Sequence, residues 1–289
     1  VQDALVMNLD DMACVGCTDD ILISSTIGRN KGRISGEVLK VLIQGAQRFV
    51  EQMRDWGLRL HLSGGETADV GDIVRTLDVG YTTFSRMRRD DLIINRIQPG
   101  NVIVGLASFG QAAWESSYNG GMGSNGLTSA RHDVLSDKYA DKYPESFDPS
   151  MDPSVRYTGT HELTDIVEVE GASVTVGQLL LSPTRTYLPL LKKVFQQIDR
   201  KGIHGIIHCT GGGQTKVKKF ISNVRVVKDQ LFDPPPLFQL IQEVSGTDWR
   251  EMYEVFNMGH RMELYLKDTT IAKEIMDIAS DCQIEARII

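Results

Sequence analysis

The sequence predicts a mixed α/β (α+β) protein of two domains, and three observations carry that reading. Stretches with apolar residues at every second position, or dense in β-branched residues, alternate with stretches whose apolar residues recur every three or four positions. The length of 289 residues suits two domains of about 100–200 residues each. Two strands run into glycine-rich corners: Leu58, Leu60 and Leu62 lead to Ser63-Gly64-Gly65-Glu66-Thr67-Ala68-Asp69, and residues 203–209 lead to Thr210-Gly211-Gly212-Gly213. Their likeness suggests an internal duplication.

The composition is that of an ordinary globular protein, 41% hydrophobic and 24% charged, enough to bury a sizeable core. The net charge of −7 gives no electrostatic reason to bind nucleic acid or an anionic membrane. No apolar run approaches the ~18 residues of a membrane span, and no signal peptide opens the chain. Four cysteines, Cys14, Cys17, Cys209 and Cys282, make no disulfide framework, which suits a cytoplasmic location. Cys14-x-x-Cys17 lacks the further ligands of a zinc site and the context of a redox pair, so it reads as two small core residues. Val1 already stands in an apolar pattern, as in a chain that starts inside a domain.

Residues 2–17 have helical spacing and carry Asn8, Asp10 and Asp11 among apolar neighbours. The acids either face water or have a partner or metal. Residues 21–27 read as a strand by β-branched content. A helix follows from Ser35, with Val38, Leu42, Ala46, Phe49, Met53 and Trp56 on a core face and Gly57 as its stop. At 63–69 two readings stand. One is a tight turn into a helix N-terminus with Thr67 or Asp69 as cap. The other is a glycine corner whose carboxylates meet Mg²⁺ and nucleotide phosphates. Further strands are expected at 77–81 and 102–108.

Tyr118-Asn119-Gly120-Gly121-Met122-Gly123-Ser124-Asn125-Gly126 precedes a helix at 127–135, and such a loop can cradle phosphate on backbone N–H groups. Residues 137–160 read as a long surface excursion. Ser182-Pro183-Thr184-Arg185-Thr186-Tyr187 suits a helix start holding an anion. Then come a helix at 188–198, a strand at 203–209, a strand at 223–229, helices at 237–244, 248–255 and 270–280, and strands at 264–266 and 284–288.

Six stretches in order resemble the phosphoribosylformylglycinamidine cyclo-ligase (aminoimidazole ribonucleotide synthetase) family. They are Met7-Asn8-Leu9-Asp10-Asp11-Met12; Gly64-Gly65-Glu66-Thr67-Ala68-Asp69; Ser124-Asn125-Gly126; Leu181-Ser182-Pro183-Thr184-Arg185-Thr186-Tyr187; His208-Cys209-Thr210-Gly211-Gly212-Gly213; and Glu251-Met252-Tyr253-Glu254-Val255-Phe256-Asn257-Met258-Gly259. The resemblance implies two α/β domains, 1–110 for ATP and dimerisation (its upstream part lying before Val1) and 111–289, with strands of the first forming a β-barrel across a homodimer. It implies ATP-dependent closure of formylglycinamidine ribonucleotide to aminoimidazole ribonucleotide, with ATP and Mg²⁺ as cofactors. Other readings are an ATP-using relative with a different acceptor, or a silent ATP-binding subunit.

By the same resemblance Asp11, Glu66 and His208 are catalytic and Asp11 and Glu66 hold the metal. Gly64, Gly65, Thr67, Asp69, Ser124, Asn125, Gly126, Thr210, Gly211 and Gly212 hold the nucleotide, and Arg185 and Asn257 hold the substrate. Two positions depart from the family pattern. Gly123 stands where the family has His before Ser-Asn-Gly, with His161 as a candidate substitute. Gly259-His260-Arg261-Met262 stands for Gly-x-Gly-Met.

Overall fold

The computed structural model describes residues 1–169 and 171–289. The chain divides into two units, Val1–Ile94 with Thr186–Arg200, and Asn95–Arg185 with Lys201–Ile289. The expected boundary at residue 110 therefore lies at 94, and fifteen later residues return to the first unit. The physical reason is pairing. The strand at 102–107 lies between two later strands of the second sheet.

The first unit is built on three strands in the order β2-β1-β3. Central β1 (Ile21–Arg29) runs parallel to β2 (Leu60–Asp69) and antiparallel to β3 (Leu77–Phe84). A parallel neighbour requires a crossover, which α2 (Gly36–Asp55) supplies. One face of the sheet, with Ile21, Ile23, Ile27, Leu60 and Tyr81, is buried. The register puts Leu22 opposite Phe84 on the other face, where both are exposed. Helices α1 (Gln2–Cys14) and α6 (Leu188–Gln197) complete the unit. Of the expected core face of α2, Ala46, Phe49 and Met53 are buried, whereas Val38 is exposed, as are Val41 and Ile43 nearby. Cys17 is buried, and the four cysteines are free thiols.

Residues 63–69 make neither a turn nor a helix start. They continue β2, and a bulge opposite Ile23 and Ser25 absorbs the extra residue. Gly64 takes φ +100° there, and a Cβ on Gly65 would sit 2.1 Å from Ser25 Oγ and 2.3 Å from its carbonyl. Both glycines are what a bulged strand beside β1 requires.

The second unit holds a four-stranded antiparallel sheet, β7-β8-β4-β9, of β4 (Val102–Ala107), β7 (Ile203–His208), β8 (His260–Leu266) and β9 (Ala286–Ile288). Every residue of β8 is buried. Around it stand α3 (Leu127–Val134), α4 (Lys138–Lys142), the hairpin β5 (Ile166–Val169) and β6 (Ala172–Thr175), α5 (Val176–Leu180), α7 (Pro236–Ser245), α8 (Trp249–Val255) and α9 (Thr269–Asp281). Caps explain several starts: Thr175 and Gln178 form a capping box, and Asp248 and Asp268 accept from the first-turn N–H groups.

The excursion at 137–160 is anchored. Phe147 and Tyr157 join the core of this unit, the Tyr157 hydroxyl lies 2.7 Å from Ser146 Oγ, and Ser136 bridges Gly159. Residues 223–229 form no strand. Their β-branched content finds no neighbouring strand, and Lys228 turns inward to Glu263. No helix among the described residues is long and apolar enough to cross a membrane.

Candidate functional site

Two glycine loops of the second unit meet. β7 ends at His208, and a turn closed by Gly213 N–H on the Thr210 carbonyl (2.9 Å) leads into a 3-10 helix, Gly213–Lys219. Gly212 and Gly213 have φ +97° and +48°, and a Cβ on Gly213 would lie 2.5 Å from the Phe256 carbonyl. The other loop ends at Gly126, which caps α3 with φ +78°. A Cβ there would strike the Phe256 ring at 2.4 Å. Phe256 is thus the wall against which both loops are pressed. Asn125 Nδ2 lies 3.5 Å from where a Gly211 Cβ would be.

Among the described residues, the N–H groups of Asn125, Gly126, Gly211 and Gly212 find no acceptor. Lys216 donates to Thr210 Oγ. It begins a run with Lys218, Lys219, Arg225 and Lys228 that meets no acid before Asp229. Unpaired backbone donors on two converging loops with a lysine beside them suit a phosphate. Ser124, Asn125, Gly126, Thr210, Gly211 and Gly212 lie together here. His208, two residues earlier, is buried at the end of β7.

Asn257 and Arg185 are engaged within the protein. Asn257 Oδ1 accepts from Ser108 Oγ (2.7 Å) and Gly259 N (3.1 Å), and its Nδ2 donates to the carbonyls of Gly121 (2.8 Å) and Met122 (3.3 Å). That uses all four of its hydrogen-bonding positions. Arg185, 1% exposed, meets Glu115 through Nε (3.0 Å) and Nη2 (2.5 Å), and donates from Nη1 to the carbonyls of Ala107 (3.0 Å) and Phe109 (2.6 Å). The geometry makes this arginine half of a buried ion pair rather than an anion ligand at the surface.

A second buried charge sits in β8. Glu263 accepts from Lys228, from His260 Nε2 (3.1 Å) and from the Tyr265 hydroxyl (2.8 Å). Burial alone would raise its pKa, but His260 and Lys228 outweigh it and bring it to about 2. Burial, then the Glu263 charge, pushes the Cys209 thiol well up, which disfavours its thiolate.

In the first unit the adjacent acids of α1 part company. Asp10 is fully buried and accepts from Thr186 Oγ (2.6 Å) and Tyr187 N (3.2 Å) at the start of α6, where a carboxylate suits the helix dipole. Asp11 is exposed. Glu66 pairs in register with Thr26 on the exposed face of the sheet, away from the buried face. Glu66 also accepts from Thr67 N, and Asp69 from Lys31 N (3.1 Å). No group of three or more His, Cys, Asp or Glu among the described residues could hold a metal. His161 is bridged to Leu135, past the C-terminal end of α3, whereas Ser124-Asn125-Gly126 sits at its start. Eight helical residues, about 12 Å, separate them, so His161 does not stand in at position 123.

Sequence reasoning missed Glu115, Asp10 as an anchor, and Lys216. Only Lys216 had a local signal, its place just after the glycines.

Residues 98–289 match the family described as AIR synthase related protein, C-terminal domain, and residues 1–87 match AIR synthase related protein, N-terminal domain. The chain is similar to the phosphoribosylformylglycinamidine cyclo-ligase of Methanothermobacter thermautotrophicus, at 32% identity over 89% of this chain and 63% of that protein. It is similar to the one of Methanocaldococcus jannaschii at 28% identity over 99% and 69%. The match to Methanopyrus kandleri is 29% over 78% and 55%. The chain thus spans between 55% and 69% of the length of these relatives. Among solved structures it resembles E. coli HypE, a hydrogenase maturation protein, with TM-score 0.54 and 14% identity over 99% of this chain and 71% of that one. A HypE in complex with ATP gives TM-score 0.52 and 10% identity, over 99% and 69%. At such identities the likeness is one of fold.

Proposed function

The chain belongs to the AIR synthase related family, and from that premise we propose that it closes the imidazole ring of aminoimidazole ribonucleotide from formylglycinamidine ribonucleotide, with release of ADP and phosphate. The observation that carries the reading is the pair of glycine loops whose open N–H groups converge at Asn125 and Gly211. ATP, when bound, supplies the phosphoryl group that turns the formyl oxygen into a leaving group. The chain's part is to bind and orient. The N–H groups of Asn125, Gly126, Gly211 and Gly212 hold phosphate oxygens, and Lys216 with Thr210 adds a cation beside them. Phosphoryl transfer depends mainly on such fixed donors. Mg²⁺ enters with the triphosphate, and Asp11 and Glu66 are the carboxylates assigned to it, with Asp69 in support. The exposed sheet face bearing Leu22 and Phe84 is the surface assigned to a second copy in a homodimer. The working place of such an enzyme is the cytoplasm.

The test is ATP hydrolysis by the intact protein with and without formylglycinamidine ribonucleotide. Hydrolysis stimulated by that substrate, with aminoimidazole ribonucleotide formed, is the expected result. Hydrolysis without stimulation would move the assignment to another acceptor, and nucleotide binding without turnover would make the chain a silent subunit.

A further inference from the structure

Arg261 touches the roots of both glycine loops. It is the second residue of β8 and is buried. Its carbonyl accepts from the N–H of Cys209 at 2.7 Å, the residue that leads into Thr210-Gly211-Gly212-Gly213. Its guanidinium donates through Nη2 to the carbonyl of Arg185. A Cβ built on Gly123 would lie 3.1 Å from Arg261 Nη1 and 3.8 Å from Thr184 Oγ, and Gly123 has φ +67°. The main chain of Arg261 therefore holds one loop, and its side chain fills the space beside the residue that opens Ser124-Asn125-Gly126.

We infer that Arg261 is a positioning residue for the anion site, bracing the two glycine loops and placing a fixed positive charge behind them. The inference rests on the phosphate-binding reading of the loops, not on which acceptor the enzyme uses. A side chain from β8 thus occupies the space that a side chain at 123 would enter. A histidine placed at 123 would differ chemically from this arginine. A histidine titrates between about pH 5 and 8, whereas an arginine stays charged throughout. The anion site of this chain thus keeps its charge where a histidine at 123 would lose it.

The test reads binding of inorganic sulfate, which does not titrate in this range, to the intact wild type, Arg261→Lys, Arg261→Gln and Gly123→His/Arg261→Gly, with thermal melting of each as the fold control. Arg261→Gln should weaken sulfate about tenfold and Arg261→Lys only two- to threefold, since the charge survives in the latter. The exchanged double variant should bind sulfate with a new dependence on pH centred near 6.5. Equal affinities of the Lys and Gln variants would overturn the inference, because packing alone would then account for the residue. So would a wild type that does not bind sulfate. If sulfate binding follows Arg261 while formylglycinamidine ribonucleotide fails to stimulate ATP hydrolysis, the proposed reaction falls and the positioning role stands.

Discussion

The corners at 63–69 and 210–213 share a pattern, a strand that runs into glycines, yet the chain treats them in opposite ways. At the first, the strand goes on for seven residues past Leu62, because β1 offers a partner through Asp69. The glycines let the backbone bulge and lie against Ser25. At the second, pairing with β8 stops at His208 opposite Met262, and the left-handed Gly212 and Gly213 turn the chain into a 3-10 helix. Glycine permits either outcome. The neighbouring strand decides which one occurs. The likeness that suggested a duplication is one of composition, since the first corner builds sheet and the second builds a turn into a 3-10 helix.

Substitutions at the glycines should separate these roles. The largest effect is expected for Gly213→Ala, which meets both the left-handed conformation and the carbonyls of Phe256 and Tyr253 at 2.5 and 2.6 Å. A loss of about 4 kcal/mol, read by urea denaturation, would be localised to the second unit by amide hydrogen exchange. Gly65→Ala should destabilise the first unit by about 3 kcal/mol, because the obstacle is Ser25 backbone. A tolerated Gly65→Ala would mean that β2 does not lie against β1 as described.

The corners also differ in what supports them. Lys228 links Gln214 of the second corner to buried Glu263. Glu263 has its pKa lowered from 4.5 to about 2. A depressed carboxylate pKa stabilises the fold fully above the unfolded value and loses that contribution as the pH falls through the folded value. Urea midpoints of the second unit should therefore decline below about pH 4.5 towards pH 2, and Glu263→Gln should flatten that decline. Next in size, Gly64→Ala pays only for φ +100° with nothing within 4 Å, about 1 kcal/mol. The smallest stability change, under about 0.5 kcal/mol, is expected for Gly211→Ala, whose Cβ has 3.5 Å to Asn125. Its effect should appear in weaker sulfate binding, measured by titration calorimetry, because the new methyl stands at the meeting point of the loops.

Local signals were legible in the sequence and distant ones were not. The capped helices at 248–255 and 270–280, the strands of both sheets and the glycine loop before 127 all follow from neighbours a few residues apart. Arg185 reads as an anion holder because its partner Glu115 lies 70 residues away. Asp10 and Asp11 look alike until Thr186, 176 residues on, claims one of them. The N-terminal half of α2 has the spacing of a core helix, yet Val38, Val41 and Ile43 are exposed, since periodicity states which face is apolar and not what covers it. Residues 223–229 had strand composition without a strand to pair with.

The return of Thr186–Arg200 to the first unit bears on synthesis. Leu188, Leu190, Leu191 and Val194 are buried in that unit, and Asp10 receives hydrogen bonds from Thr186 and Tyr187. During translation residues 1–94 leave the ribosome with an open apolar gap and with the Asp10 carboxyl group still awaiting Thr186 and Tyr187. Where most nascent domains close in order of emergence, this one must wait until residue 200 has cleared the exit tunnel. Chaperone engagement should therefore fall within that interval.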